Sequence, residues 1–282
     1  MLNESVKLQV SKKAKIHSTT IFLGGEVVIE DDVEIGPYCV VNGNIILKKG
    51  VRLTTHIAIS GNTIIGEGTV IHSFASVGSV PQDVKYKGEK SYTEIGKNNI
   101  IRENVTINSG TAQGGFYTRI GHNNLFMIAC HIGHDCQIGN NCIIANNVGI
   151  AGHVIIQDNV IVGGNSGVHQ FVRIGKNSMI GGMSGVGLDI PPFSLYTGSR
   201  ENKLRGLNLV GLKRHGCSNQ EIKNIKSAYE FVFSNSNIIE NAKSLLEKTK
   251  DEKVKTLLQF ILDGGSRGVC NWDGGAKEQA DV

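Results

Sequence analysis

Four of the chain's nine histidines stand close together in sequence: His131, His134, His153 and His169. From His134 to His153 is a step of 19, and from His153 to His169 a step of 16. Imidazole titrates near neutrality, which suits it to proton transfer at a reacting hydroxyl. Three or four converging imidazoles also bind zinc. The bland alternative is a set of histidines on a polar surface wall. The choice between these depends on the element that carries them and on whether its period brings them together.

That element repeats every six residues. Ile29, Ile35, Val41, Leu47, Leu53, Ile59, Ile65, Ile71 and Val77 keep the step, then Ile95, Ile101 and Ile107, and then twelve anchors without a break from Ile120 to Val186. A helix would show spacings of three and four, and an ordinary strand a spacing of two. Period six is the hexapeptide repeat of a parallel β-helix, in which three hexads close a triangular coil of about 18 residues and coils stack about 4.8 Å apart. Gly or Ala usually follows the anchor, as at Gly121, Gly133, Gly163 and Gly181, and Asn or Asp recurs two residues later, as at Asn123, Asp135, Asn141 and Asn159. Both types suit sharp left-handed corners. Steps of 19 and 16 are each close to one coil, so the repeat stacks the histidines on one side of the prism. His169 also takes a slot held mostly by Gly or Ala, and a residue that breaks its local rule is a functional candidate. The same step sends Cys130, Cys136 and Cys142 to three different walls, where they read as small core hydrophobes and not as a metal cluster.

Two loops interrupt the repeat, Gly78 to Glu94 and Asn108 to Arg119, and loops on a rigid scaffold often carry function. The repeat ends at Pro191-Pro192. Beyond it the spacing turns helical: Ser218 with Glu221 forms a capping box ahead of Ile222, Ile225, Tyr229 and Val232, and further helices follow over Ile238–Leu246 and Val254–Ile261. The expected division is a β-helix over 1–190, a helical domain over 191–263 and a flexible tail over 264–282.

Composition narrows the field. Glycine stands at 36 residues, proline at 4 and tryptophan at 1, which fits many tight turns and a narrow interior. The β-helical part, 1–190, holds 15 Lys+Arg against 14 Asp+Glu, so no basic stripe for nucleic acid exists there. The helical part, 191–262, carries 12 Lys+Arg against 7 Asp+Glu, and the positive surplus lies with it. No run of about 18 apolar residues exists to span a membrane. The six cysteines show no disulfide framework, which points to a reducing, cytoplasmic setting.

In the same order along the chain, PQDVKY (81–86), IRENVTIN (101–108), HIGHDC (131–136), IAGHV (150–154), VHQF (168–171), PPF (191–193) and GLKRHG (211–216) resemble segments of the UDP-N-acetylglucosamine acyltransferases. The likeness covers roughly positions 15 to 235. It implies a left-handed β-helix, a homotrimer with active sites in the clefts between neighbours, and acyl transfer from acyl carrier protein to the glucosamine 3-position of a UDP-sugar in lipid A synthesis. It makes His134 the general base, Asp135 its orienting carboxylate and the Gly152 N–H the oxyanion donor. It places Gln82, Asp83, Lys85, His131, His153, His169 and Gln170 on the substrate wall, and Asn208 and Arg214 at the nucleotide. Gly182 becomes a ruler for acyl length. No metal or resident cofactor is implied, since the phosphopantetheine arm arrives with the donor. His215, Val210 and the spacing from Gly198 to Gly206 depart from the family pattern and touch only uridine binding.

Three rivals stand beside this reading. An N-acyltransferase with a similar coil carries an extra N-terminal domain, and here the repeat begins by about Val10. A γ-class carbonic anhydrase has ligand histidines five apart, whereas His131 and His134 are three apart. A structural coil such as an ice-binding protein has a flat repetitive face, which two long loops and stacked histidines disturb.

Overall fold

The computed structural model describes residues 6–198 and 203–272. Leu125 pairs with Ile143 and Ile143 with Ile161, both in parallel, so three hexads close each coil. The chain is a parallel β-solenoid whose anchors fill a narrow interior, with Ile132, Ile144, Ile150, Val162, Ile174 and Ile180 fully buried. Each buried Ile or Val side chain contributes roughly 1.5–3 kcal/mol, and the period-six pattern makes the contribution regular along the axis. Two hydrogen-bonded sheets of 16 and 12 strands make up the three walls. Two walls merge because strands Val40–Leu47 and Ala58–Ile65 run unbroken around one corner.

Three columns of left-handed residues mark the corners. Asn123, Asn141, Asn159 and Asn177 form one column, Ala129, Asn147, Asn165 and Met183 the second, and Asp135, His153 and Phe171 the third, all at φ of 56–69°. Asn and Asp adopt this backbone at little cost, whereas His153, Phe171 and Met183 adopt it because the coil imposes it. The glycines that follow the anchors do not share it. Their smallness has another cause: a Cβ on Gly163 would lie 2.4 Å from the Gly182 nitrogen in the next coil.

Both interruptions are insertions within otherwise regular coils. Ile65 pairs with Ile95, two hexads further along the chain than a plain coil would reach. Ile95 pairs with Ile120, one hexad and one residue beyond a plain coil. The loops leave at the third corner and are tied together. The Ala112 N–H donates to Glu89 Oε1 at 3.1 Å, Ser91 and Ser109 share a hydrogen bond of 3.0 Å, and Tyr92 stacks on Tyr117.

Strands continue past both expected boundaries, 190 and 263. Ser194–Tyr196 adds a further parallel rung on Met179–Ile180 beyond the two prolines, and Lys203–Leu207 returns antiparallel to it. Among the described residues four helices follow: α1 (Leu209–Arg214), α2 (Asn219–Val232), α3 (Ile238–Leu246) and α4 (Glu252–Leu262). The Ser218–Glu221 capping box is present on α2. The short α1 was not expected, since so short a segment gives too little period to read. The segment from 264 to 272 is not a loose tail. Cys270 is buried and its N–H donates to the Asp189 carbonyl, Asn271–Trp272 pairs with Lys203–Leu204, and Trp272 lies on Tyr229 at 4.6 Å between centroids. Apolar burial of Cys270 and Trp272 outweighs the segment's glycine content. The rest of the expected tail, 273–282, lies outside the described residues, as does part of the Gly198–Gly206 spacing. All six cysteines are buried, and burial pushes the Cys130, Cys136 and Cys142 thiols up to about 12, as core hydrophobes require. Among the described residues no helix is long and apolar enough to cross a membrane.

Candidate active site

The third corner carries the chemistry. The coil step stacks Asp135, His153 and Phe171 in one column and His134, Gly152 and Gln170 in the next. His134 and Asp135 are both buried, at 7% and 4% exposure. His134 Nδ1 lies 2.7 Å from Asp135 Oδ2. Thr111 donates twice to the same carboxylate, from its N–H to Oδ1 at 2.7 Å and from its hydroxyl to Oδ2 at 2.6 Å. The Asp135 N–H donates to Thr118 Oγ1 at 2.8 Å, which pins the corner from the coil below.

Burial pushes the Asp135 carboxyl up, but the hydrogen bonds from His134 and Thr111 outweigh it and hold the group below its ordinary value. Asp135 is therefore ionised at neutral pH, and the shared proton sits on His134 Nδ1. In the neutral imidazole this tautomer turns the Nε2 lone pair away from the carboxylate, the arrangement a general base needs. His153 stands edge-on to His134 with centroids 4.9 Å apart, stacks on Phe171 at 4.6 Å, and brings Nε2 to 3.7 Å from Asp135 Oδ2. Burial lowers the His153 pKa, against the pull of Asp135. Burial, reinforced by His134, also lowers that of His131. His131 Nδ1 is held by Thr106 Oγ1 at 2.8 Å.

Gly152 has a steric reason to be glycine: a Cβ there would lie 2.5 Å from the His134 ring. Among the described residues its N–H makes no hydrogen bond within the chain, so the donor stands free beside the imidazole. Asp83 and Lys85, on the first loop, act electrostatically on His153 in opposite directions, which places the loop over the corner. Gln82 is exposed beside them. His169 is exposed, with Nδ1 3.2 Å from the Gln170 carbonyl.

His134, Asp135 and His153 bring one possible ligand atom each within 4.8 Å of one another. Asp135 already accepts three hydrogen bonds from Thr111 and His134. His134 and Asp135 are thus a hydrogen-bonded pair built around an anion, with His153 Nε2 3.7 Å from the carboxylate, and His131 and His169 do not join them.

Three expected site residues lie elsewhere in this chain. Asn208 caps α1, accepting from the Gly211 N–H, and donates to the Asn177 carbonyl. It therefore belongs to the Asn177 corner, together with exposed Arg214 at the far end of α1. Gly182 sits beside Met183 on the second corner, because the eight hexads from His134 make two coils and two-thirds of a turn, not a whole number of turns. Sequence reasoning missed Thr111 and Thr118. Thr118 carries a readable signal, since it precedes Asp135 by one position less than a full coil. Thr111 lies inside an aperiodic insertion and carries none.

A solenoid of hexapeptide coils with a buried His–Asp pair at one corner and a free N–H beside it defines an acyltransferase of the hexapeptide class. Comparison with known proteins agrees. Residues 117–152 match the bacterial transferase hexapeptide family, and residues 189–270 match the family described as UDP-N-acetylglucosamine O-acyltransferase, domain 2. The chain is 44% identical over 255 residues to the acyl-[acyl-carrier-protein]–UDP-N-acetylglucosamine O-acyltransferase of Aliarcobacter butzleri, covering 90% of this chain and 97% of that protein. With the enzyme of the same name from Paraburkholderia phymatum, identity is 43% over 262 residues, covering 91% and 99%. The crystal structure of UDP-N-acetylglucosamine O-acyltransferase from Moraxella catarrhalis superposes with a TM-score of 0.81 at 38% identity, covering 93% of this chain and 99% of that one. The chain belongs to the UDP-N-acetylglucosamine O-acyltransferase family.

Proposed function

We propose that the protein moves an acyl chain from acyl carrier protein to the 3-hydroxyl of UDP-N-acetylglucosamine, opening lipid A synthesis in the cytoplasm. The observation that carries the mechanism is the 2.7 Å contact between His134 Nδ1 and an ionised, buried Asp135. His134 Nε2 takes the proton of the sugar hydroxyl as its oxygen attacks the thioester carbonyl. The Gly152 N–H donates to the oxygen that becomes negative in the tetrahedral intermediate. The intermediate collapses, the C–S bond breaks, and His134 returns the proton to the departing phosphopantetheine sulfur. Asp135 stabilises the imidazolium formed between these events.

In this reading Gln82, Asp83, Lys85, His131, His153, His169 and Gln170 hold the sugar and phosphates. Asn208 and Arg214 reach the nucleotide from a neighbouring chain of a homotrimer, which accounts for their place on another corner. The five-charge surplus of the helical part offers a docking face to acidic acyl carrier protein. Proton transfer and the free N–H supply the chemistry without a resident cofactor or metal, so chelators leave the rate unchanged.

His134→Ala is the test. A positioned general base contributes about 10²–10⁴-fold, so turnover falls by that factor, while UDP-sugar affinity stays within about tenfold because His131, His153 and His169 remain. Wild-type turnover in the variant would refute the base.

A further inference from the structure

The second insertion serves no purpose in closing the coil, since Ile120 to Ile138 and every later coil close without one. Its tip lies on the Asp135 carboxylate. Thr111 is 2% exposed, and its hydroxyl reaches the same Oδ2 that accepts from His134 Nδ1. The direction of that hydroxyl is fixed from behind: the Gly114 N–H donates to Thr111 Oγ1 at 3.3 Å, so the Thr111 proton has the carboxylate as its acceptor. The turn is tight for the same reason. A Cβ on Gly114 would lie 2.0 Å from Asp135 Cγ. The loop is anchored at its base by the Phe116 N–H to the Thr111 carbonyl at 2.7 Å, and across to the first loop through Glu89.

We infer that Thr111 is a positioning residue for the acyl transfer: it fixes Asp135 Oδ2 in place and keeps it an anion, and so holds His134 with Nδ1 protonated and Nε2 facing the substrate. This rests on His134 being the base. Thr111 touches Asp135 and not the reacting atoms. The groups that bear on Asp135 from around it are His134, His153 at 3.7 Å, Glu89 on the first loop and the Cys136 thiol, which burial keeps protonated. Asp83, Lys85 and His131 stand one residue further out, acting on His153 and His134. Among them Thr111 is the neutral donor that can stabilise the carboxylate at every pH.

Thr111→Val keeps the shape and removes the hydroxyl. A hydrogen bond to a charged group is lost, so kcat falls about ten- to hundredfold, while the UDP-sugar KM stays within about twofold because no substrate contact is removed. Without the hydroxyl the His134–Asp135 pair takes up its proton at higher pH, and the acid limb of the kcat/KM profile moves up. Thr111→Ser restores both the rate and the limb; a purely structural role for the side chain would move neither limb nor rescue. If Thr111→Val does not fold, Thr111→Ala is compared with Thr111→Ser in the same way. Wild-type kcat and acid limb in a folded hydroxyl-free variant, with His134→Ala inactive, would overturn the role of Thr111 and spare the base. An active His134→Ala would instead overturn both.

Discussion

At Gly152 two demands meet in one residue. In the proposed mechanism its N–H donates to the developing oxyanion, and its missing side chain leaves room for the His134 ring, 2.5 Å from where a Cβ would stand. Gly152→Ala keeps the N–H and removes the room. The ring must turn or shift by the order of an ångström, and a misplacement of that size costs about 10²-fold in rate. The expected result is a kcat lower by about that factor in a protein with unchanged circular dichroism; a kcat within about threefold of wild type would show that the ring has slack and that proximity is not what fixes this glycine. The residue scale is also where sequence reasoning was least sharp. Steps of 19 and 16 between histidines read as roughly one coil, and the coil brings His134 and His153 together at the third corner, whereas His169 stays exposed outside that contact. With a strict coil step a single residue decides who touches whom: His153 lies on Asp135 and Phe171, while His134 lies over Gly152. That register set the His134–Asp135–His153 geometry, and Thr111 entered it from a loop whose residues obey no period.

Elements with a period were legible and elements without one were not. Twelve unbroken anchors gave the coil, its interior and its stacking, and Ser218 with Glu221 gave the start of α2. The insertions showed only as gaps in the count, and their fold over the third corner depends on hydrogen bonds such as Glu89 to Ala112 that no spacing encodes. The docking of 264–272 was hidden by its polar, glycine-rich composition. Gly182 shows the coil's effect most clearly. It repeats His134's slot within the hexad, yet the coil places it on the second corner, exposed beside Met183. A Cβ there would meet the Gly164 carbonyl oxygen at 3.2 Å, close but admissible with a small shift, and a longer side chain extends into open space. Gly182→Met should therefore fold and shorten the preferred acyl chain. Each methylene excluded forfeits about 0.8 kcal/mol, or about fourfold in kcat/KM. The profile across acyl carrier protein thioesters of increasing length checks this; an unchanged profile, or equal loss at every length, leaves Gly182 as a corner residue.

The whole molecule then has to reconcile two corners. The base stands on the third corner and the proposed ruler on the second, about 13 Å apart along the axis at about 4.8 Å per coil, with a wall of the prism between them. One convex coil cannot enclose a long acyl chain between two of its own corners. In the proposed homotrimer a groove from His134 to Gly182 would run along the seam between two parallel coils, with His134 from one chain and Gly182 from the next. In a closed ring of three identical chains every seam is equivalent, and this gives a test that neither variant offers alone. Chains carrying His134→Ala and chains carrying Gly182→Met are co-expressed with different tags, and oligomers bearing both tags are isolated. Neither parent acts on a long donor, the first for want of a base and the second for want of depth. In a mixed ring of either composition one seam of the three joins an intact His134 to an intact Gly182, so long-donor kcat returns to about one third of wild type. Mixed oligomers as inactive on the long donor as their parents would place base and ruler in the same chain, and the mass of a single chain by light scattering would remove the seam altogether.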